Sequence, residues 1–328
     1  MEQYETSFGV LAGITAFERY PGGQLKSCIV NRENRLSTRW GEFVPQYREV
    51  EPGERSKKHH RSVSLYESGA LQSVALERQT LIETPLMPIH AELVTFYENG
   101  SVNRVFPLNG KIDGYWTEQN ERALAKGYRV SLPFAEFEAK VMAVHFYPGG
   151  KLKSLTLWPG ERVTLPTPAG EMDVRAGFSL YESGSLRSVE PAKPTEIATP
   201  IGTLLAYDCD IVGMHADSNS LQFTESGDVT SITTTRSAVT ITDLEGTRTT
   251  VQPLQMPGLL DASETRIVPL RIRFEETQVV FRTLEPVAFN RGCHFETAHA
   301  DIEKPVGGCE HCTDEGECTG ACDGCSAC

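Results

Sequence analysis

The sequence predicts a mainly β protein. Antiparallel hairpin repeats form a duplicated three-hairpin unit, and a short cysteine-rich tail follows. Three observations carry that expectation. One six-residue phrase, Gly-x-[Leu/Val]-x-[Ser/Arg]-apolar, recurs six times. Apolar and polar residues alternate around it, the period of a strand rather than a helix. No βαβ pattern accompanies these strands, which excludes a doubly wound parallel sheet.

The first five copies begin at Gly23, Gly69, Gly100, Gly150 and Gly184, each with a tyrosine three residues earlier: Tyr20, Tyr66, Tyr97, Tyr147 and Tyr181. The sixth, Gly227 to Ile232, has Thr224 in that place. The physical sense is a hairpin. A strand runs into the tyrosine, two turn residues follow, and the glycine supplies the positive φ of a tight turn. Pro21 and Pro148 suit the first turn position, because a fixed φ starts such a turn. Beyond the glycine, Leu25, Leu71, Leu152 and Leu186 share one face, and Lys26, Gln72, Lys153 and Arg187 take the other. A lone Tyr-x-x-Gly is an ordinary turn, but six copies with a common downstream phrase are a repeat.

The copies also pair at long range. Gly23 and Gly150 are 127 residues apart, as are Gly100 and Gly227, while Gly69 and Gly184 are 115 apart. Ser64-Leu65-Tyr66-Glu67-Ser68-Gly69 returns as Ser179-Leu180-Tyr181-Glu182-Ser183-Gly184. The expected organisation is a first half over 1–131, a second over 132–250, a further β segment over 251–290 and a tail over 291–328. Unequal spacing implies loops inserted between hairpins. One is Glu51 to Arg61, whose Arg55, Lys57, Lys58, His59 and His60 read as a solvated, charged face. A further hairpin is expected at Val239–Val251 around Asp243-Leu244-Glu245-Gly246, and a strand at Leu270–Glu275. The one helix expected runs from Glu118 to Lys126, between Thr117 as N-cap and Gly127.

Tyr97-Glu98-Asn99-Gly100 and the stretch Asn109-Gly110-Lys111-Ile112-Asp113-Gly114-Tyr115-Trp116 carry a family resemblance. They look like MORN-type repeats, and are similar to the bacterial antitoxin-like or immunity-like variants. The resemblance spans roughly 14–232. It implies hairpins stacked side by side into an elongated sheet used for protein contact. It transfers no catalytic residue, and it implies a protein partner.

The tail holds the most specific local chemistry. Cys309, Cys312, Cys318, Cys322, Cys325 and Cys328 follow a C-x2-C-x5-C-x3-C-x2-C-x2-C spacing. Two thiolates separated by two residues reach one ion through a tight turn. The outer pairs, Cys309/Cys312 and Cys325/Cys328, form C-x2-C-x12-C-x2-C, a zinc spacing. The run Cys318, Cys322 and Cys325, with Cys328 as fourth ligand, suits a [4Fe–4S] cluster. The choice between zinc and [4Fe–4S] stays open, as does the alternative of redox thiols that exchange electrons or metal with a partner enzyme. The C-x3-C-x2-C run also opens the barrel of radical S-adenosylmethionine enzymes, but only three residues follow it here. Cys293, His294, His299 and His311 are candidate additional ligands. Cys28 and Cys209 are expected to be buried structural thiols.

Composition narrows the function classes. The net charge of −13 repels phosphate backbones and anionic lipid, so neither nucleic acid nor a membrane is expected as partner. Met1 to Thr6 shows neither a basic nor an apolar leader region, and no stretch is apolar enough to span a bilayer as a helix. A cytoplasmic location is the expectation, where clustered cysteines bind metal more often than they pair. Asp208, Asp210 and Asp217 could form an acidic or metal site, though they lack the glycine and glutamate positions of an EF-hand. His90 and His145 read as strand-face residues. With no nucleophile elbow, phosphate-binding loop or dinucleotide fingerprint, an enzyme is not expected.

Overall fold

A computed structural model describes residues 3–48, 54–58, 61–113, 115–209, 216–257 and 265–300. The predicted tail from Asp301 to Cys328 lies outside the described residues. The chain divides into two compact units, 1–158 and 159–328. By contact, the first holds four of the six repeat hairpins and the second holds two.

Each repeat becomes the same hairpin. In the first, Tyr20 N–H donates to Gln24 O and Gly23 N–H to Tyr20 O, both at 2.9 Å. The same pair of bonds closes the turns at Tyr66, Tyr97, Tyr147, Tyr181 and Thr224, and the Asp243 turn repeats it. This is a type I turn closed by a residue in the left-handed region. The glycines at that position have φ between 77° (Gly100) and 96° (Gly184), where a Cβ is strained.

A bulge follows each of the six repeat turns, but not the Asp243 turn. Leu65 faces Leu71, but Ser64 faces Ser73, so Gln72 is the extra residue. The same slip occurs at Lys26, Asn103, Lys153, Arg187 and Thr230. Simple alternation beyond the glycine therefore stops after one step. The bulge turns the second and the fifth residue after the glycine toward the same core. Cys28, Val74, Val105, Leu155, Val189 and Ile232 are all fully buried at that fifth position.

In the first unit the hairpins lie in chain order within an antiparallel sheet. The strands Ile14–Arg19, Leu25–Val30, Val63–Leu65, Leu71–Glu83, Pro88–Phe96, Val102–Phe106, Ala135–Phe146 and Leu152–Leu157 pair successively. Their register aligns an apolar row, Cys28, Val63, Val74, Val94, Val105, Val144 and Leu155. An inserted hairpin, Leu36–Thr38 with Gly41–Phe43, covers that face, and Phe43 meets Phe96 at 6.1 Å between ring centroids. The second unit repeats the scheme through Val163–Thr167, Gly170–Leu180, Leu186–Pro191, Leu221–Phe223, Val229–Thr234, Leu270–Phe274, Gln278–Arg282 and Pro286–Asn290. Its core row is Phe178, Val189, Leu221, Ile232, Ile272 and Phe281.

The expected hairpin forms between Ser237–Thr242 and Arg248–Val251, and the expected strand is Leu270–Phe274. The helix is shorter than predicted, Glu118–Leu124. Thr117 and Asn120 close a reciprocal capping box at its start. Gly127 does not cap it but opens the strand Gly127–Leu132, which pairs with Ala135–Lys140. Pairing along that strand outweighs continuation of a single exposed helical turn.

Candidate functional site

The repeat tyrosines do more than mark turns. Tyr20 Oη donates to Leu65 O at 3.0 Å, Tyr66 Oη to Phe96 O at 2.9 Å, and Tyr97 Oη to Phe146 O at 2.8 Å. In the second unit Tyr181 Oη donates to Phe223 O at 2.7 Å. Each acceptor is the residue just before the turn-opening residue of the next repeat. The hydroxyl therefore clasps one hairpin to its neighbour, and the sixth repeat receives a clasp although it has Thr224 in the tyrosine's place. The bulged residue covers the same ring from above: Lys26 lies over Tyr20 at 6.0 Å, Lys153 over Tyr147 at 5.6 Å and Arg187 over Tyr181 at 5.6 Å. In these three repeats the bulge supplies the cation and the turn-opening residue supplies the ring.

Two buried polar clusters fix the loops that leave this framework. In the first unit Arg55 joins two carboxylates from distant elements. It donates to Glu92 through Nη1 at 2.9 Å and Nη2 at 2.8 Å, and to Glu121 through Nε at 2.7 Å. Trp116 Nε1 and Gly110 N also donate to Glu121, both at 2.7 Å, and Asn109 N donates to Glu92 at 2.8 Å. Burial opposes the charge on Glu121, but Arg55 and Trp116 hold its carboxyl below the ordinary value. Lys57 donates to the carbonyls of Leu76 and Glu77, and burial lowers its own pKa. The expectation of a solvated basic loop over Glu51–Arg61 thus fails at Arg55 and Lys57. Their partners lie 19 to 66 residues away, beyond the reach of a local charge pattern.

The second cluster centres on Glu190, which is fully buried. Its carboxylate accepts from Asp208 N at 3.1 Å, Ser220 N at 2.8 Å and Ser220 Oγ at 2.5 Å, with Arg175 Nη2 at 3.7 Å. Burial pushes the Glu190 carboxyl up to about 7, against the opposing pull of Ser220 and Arg175. The Arg175 guanidinium also stacks over Tyr207 at 4.7 Å. Asp208 serves here through its backbone. Its suggested companion Asp210 lies outside the described residues, and Asp217 occupies a half-exposed turn.

The predicted metal ligands Cys309, Cys312, Cys318, Cys322, Cys325 and Cys328 lie outside the described residues, as does His311. His294 and His299 stand at opposite ends of the strand His294–His299. Five strand steps separate them by about 17 Å, too far to share one ion. Among the described residues, no group of three or more His, Cys, Asp or Glu side chains could hold a metal ion. Cys28 is buried and its thiol is pushed up to about 11, an unreactive core residue as expected. Cys209 is only half-buried. His145 is buried on its strand, between Arg104 and Ser154 in register, and His90 is half-exposed.

The sequence gives no hint of a cleft of about 520 Å³ in the first unit. It opens between the turns at Asn99 and Gly149, with Arg39, Trp40 and Pro85 on its wall. Trp40 comes from the inserted Leu36–Phe43 hairpin, and its Nε1 donates to Gly100 O at 3.0 Å. Arg39 lies over the indole at 5.1 Å. Trp40 reaches a turn 60 residues away, and the cleft joins segments distant in the sequence.

This framework defines a β-hairpin repeat protein. Compared with protein-family models, curated proteins and solved structures, the chain matches none. Among the described residues no helix is long and apolar enough to cross a membrane.

Proposed function

We propose that the chain is a non-enzymatic protein-interaction scaffold, in which a clasped row of hairpins presents its turn tips to a protein partner. The observation that carries this is the repeated tyrosine clasp. It commits a side chain at four of the six repeats to fixing one hairpin against the next, while the exposed tips are drawn from three pairs: Pro-Gly at 21–22 and 148–149, Glu-Ser at 67–68, 182–183 and 225–226, and Glu98-Asn99. A rigid frame carrying exposed tips is how scaffolds build recognition surfaces. The likeness to MORN-type repeats points the same way, and an antitoxin-like or immunity-like task rests on that likeness alone. We place the protein in the cytoplasm, where its six tail cysteines bind zinc or a [4Fe–4S] cluster.

Photo-crosslinking amino acids at Glu67, Glu98 or Glu182 test the scaffold. They should trap one protein repeatedly, and the same group at Glu171, outside the repeat turns, should not. Equal labelling from all positions would contradict the reading. Elemental analysis and a visible spectrum of protein purified without oxygen test the tail. Stoichiometric zinc, or iron and sulfide with broad absorption, supports the metal site. Reduced thiols with no metal would leave electron or metal exchange with a partner enzyme as the better account.

A further inference from the structure

The cleft beside Trp40 is built as an anchor site. Its indole is held from two sides, by the bond from Nε1 to Gly100 O and by the Arg39 guanidinium. A ring that loses no further rotamer freedom on binding is the kind of residue that dominates protein interfaces. Pro85 and Pro148 supply further rigid apolar surface, and Gly149 and Gly150 leave the backbone of one turn accessible. Arg39 is exposed and makes no ion pair with any acid among the described residues. A cation thus stands unneutralised at the mouth of a mainly apolar slot, on a chain whose overall charge is −13.

We propose that this cleft docks an extended acidic peptide, which lays a proline or other large apolar side chain against Trp40 and sets a carboxylate on Arg39. The inference rests on the scaffold reading and names the chemistry of one contact within it. The cavity volume accommodates a few side chains rather than a folded domain. Charge complementarity selects the acid, because a guanidinium stacked on an indole still presents its edge N–H groups to a carboxylate. The Glu98 and Asn99 tip borders the slot and disfavours an acid placed on that side. The carboxylate therefore enters from the Arg39 side.

The test is selection from a phage-displayed library of random linear peptides on the intact chain, followed by affinity measurement with synthesised winners. Winners should carry Asp or Glu within a few residues of Pro or a large apolar residue. Arg39→Glu, an exposed change that leaves the core untouched, should weaken them about ten-fold, the scale of one charge-assisted hydrogen bond. Replacing the peptide acid by Lys should restore binding to that variant. Trp40→Phe, which keeps a ring but loses the bond to Gly100, should weaken binding with the fold intact by circular dichroism. Winners without an acidic bias, or equal affinity for Arg39→Glu, would overturn the cleft assignment. So would the absence of winners. In each case repeated crosslinking from the turn tips would leave the scaffold reading standing.

Discussion

Tyr66 Oη donates to the backbone carbonyl of Phe96 at 2.9 Å, and Phe96 is the residue that precedes Tyr97, the next tyrosine of the series. Phe96 is itself buried, with its ring against Phe43. One residue thus feeds its side chain into the core and its carbonyl to the preceding hairpin. Tyr97 then repeats the act on Phe146. Register, core and clasp are specified together by a short repeated phrase, which is why the repeats tolerate long insertions between them.

The turn glycines test the hairpin geometry alone. A Cβ at Gly69 would meet nothing within 4 Å, whereas one at Gly150 would lie 3.3 Å from Pro85 Cγ. Gly69→Ala should therefore lose only the cost of a left-handed backbone, about 1–2 kcal/mol. Gly150→Ala, with φ of 86°, should lose that and somewhat more. Chemical denaturation of the two variants checks the order. Equal or reversed losses would contradict the packing at Pro85.

Arg55→Met removes the guanidinium that bridges Glu92 and Glu121. Stranding a buried carboxylate costs about 3–5 kcal/mol. The folded-state pKa of Glu121 lies below its ordinary value. Its contribution is therefore present above that ordinary value and is lost as pH falls through the folded one. The variant should be most destabilised near neutral pH and approach the parent in acid, as thermal melts across pH would show. A constant difference at every pH would contradict the ionic assignment.

Glu190 works in the opposite sense. Its folded pKa, raised by burial to about 7 from an ordinary 4.5, means that the protonated form is favoured in the fold. Stability from this group is full below the unfolded value and is lost as pH rises through the folded one. The span corresponds to about 3 kcal/mol. Between pH 4.5 and about 7 the 159–328 unit should lose stability with rising pH, and Glu190→Gln should flatten that slope. A variant with the parent's slope would show that another group is responsible.

The hairpins were legible because their signals are local. A tyrosine, two turn residues and a glycine lie within four positions, and the hydrophobic partner follows at once. The one-residue bulge after each glycine was not legible, although its product was. An apolar residue at the fifth place, such as Val74 or Val189, violates strict alternation from Leu71 or Leu186, and only a bulge lets both face the core. The clusters at Arg55 and Glu190 and the Trp40 cleft escaped for a different reason. Each depends on residues tens of positions apart, so Arg55 reads as a surface cation and Glu190 as one more strand residue. The cysteines of the tail carry the opposite balance, a specific spacing that lies outside the described residues.

The coupling of hairpins through tyrosine hydroxyls is the foundation of the scaffold, and native-state hydrogen exchange on Tyr97→Phe tests it most directly. The Gly150 amide donates to Tyr147 O in the neighbouring turn, one residue beyond the clasped Phe146 carbonyl. Loss of the Tyr97 hydroxyl should speed exchange at Gly150 and Tyr147 while leaving Gly23 and Tyr20, two hairpins away, unchanged. Faster exchange confined to the turn of Tyr97 itself, with Gly150 as protected as before, would mean that the hairpins stand independently and that the clasp does not bind the row together.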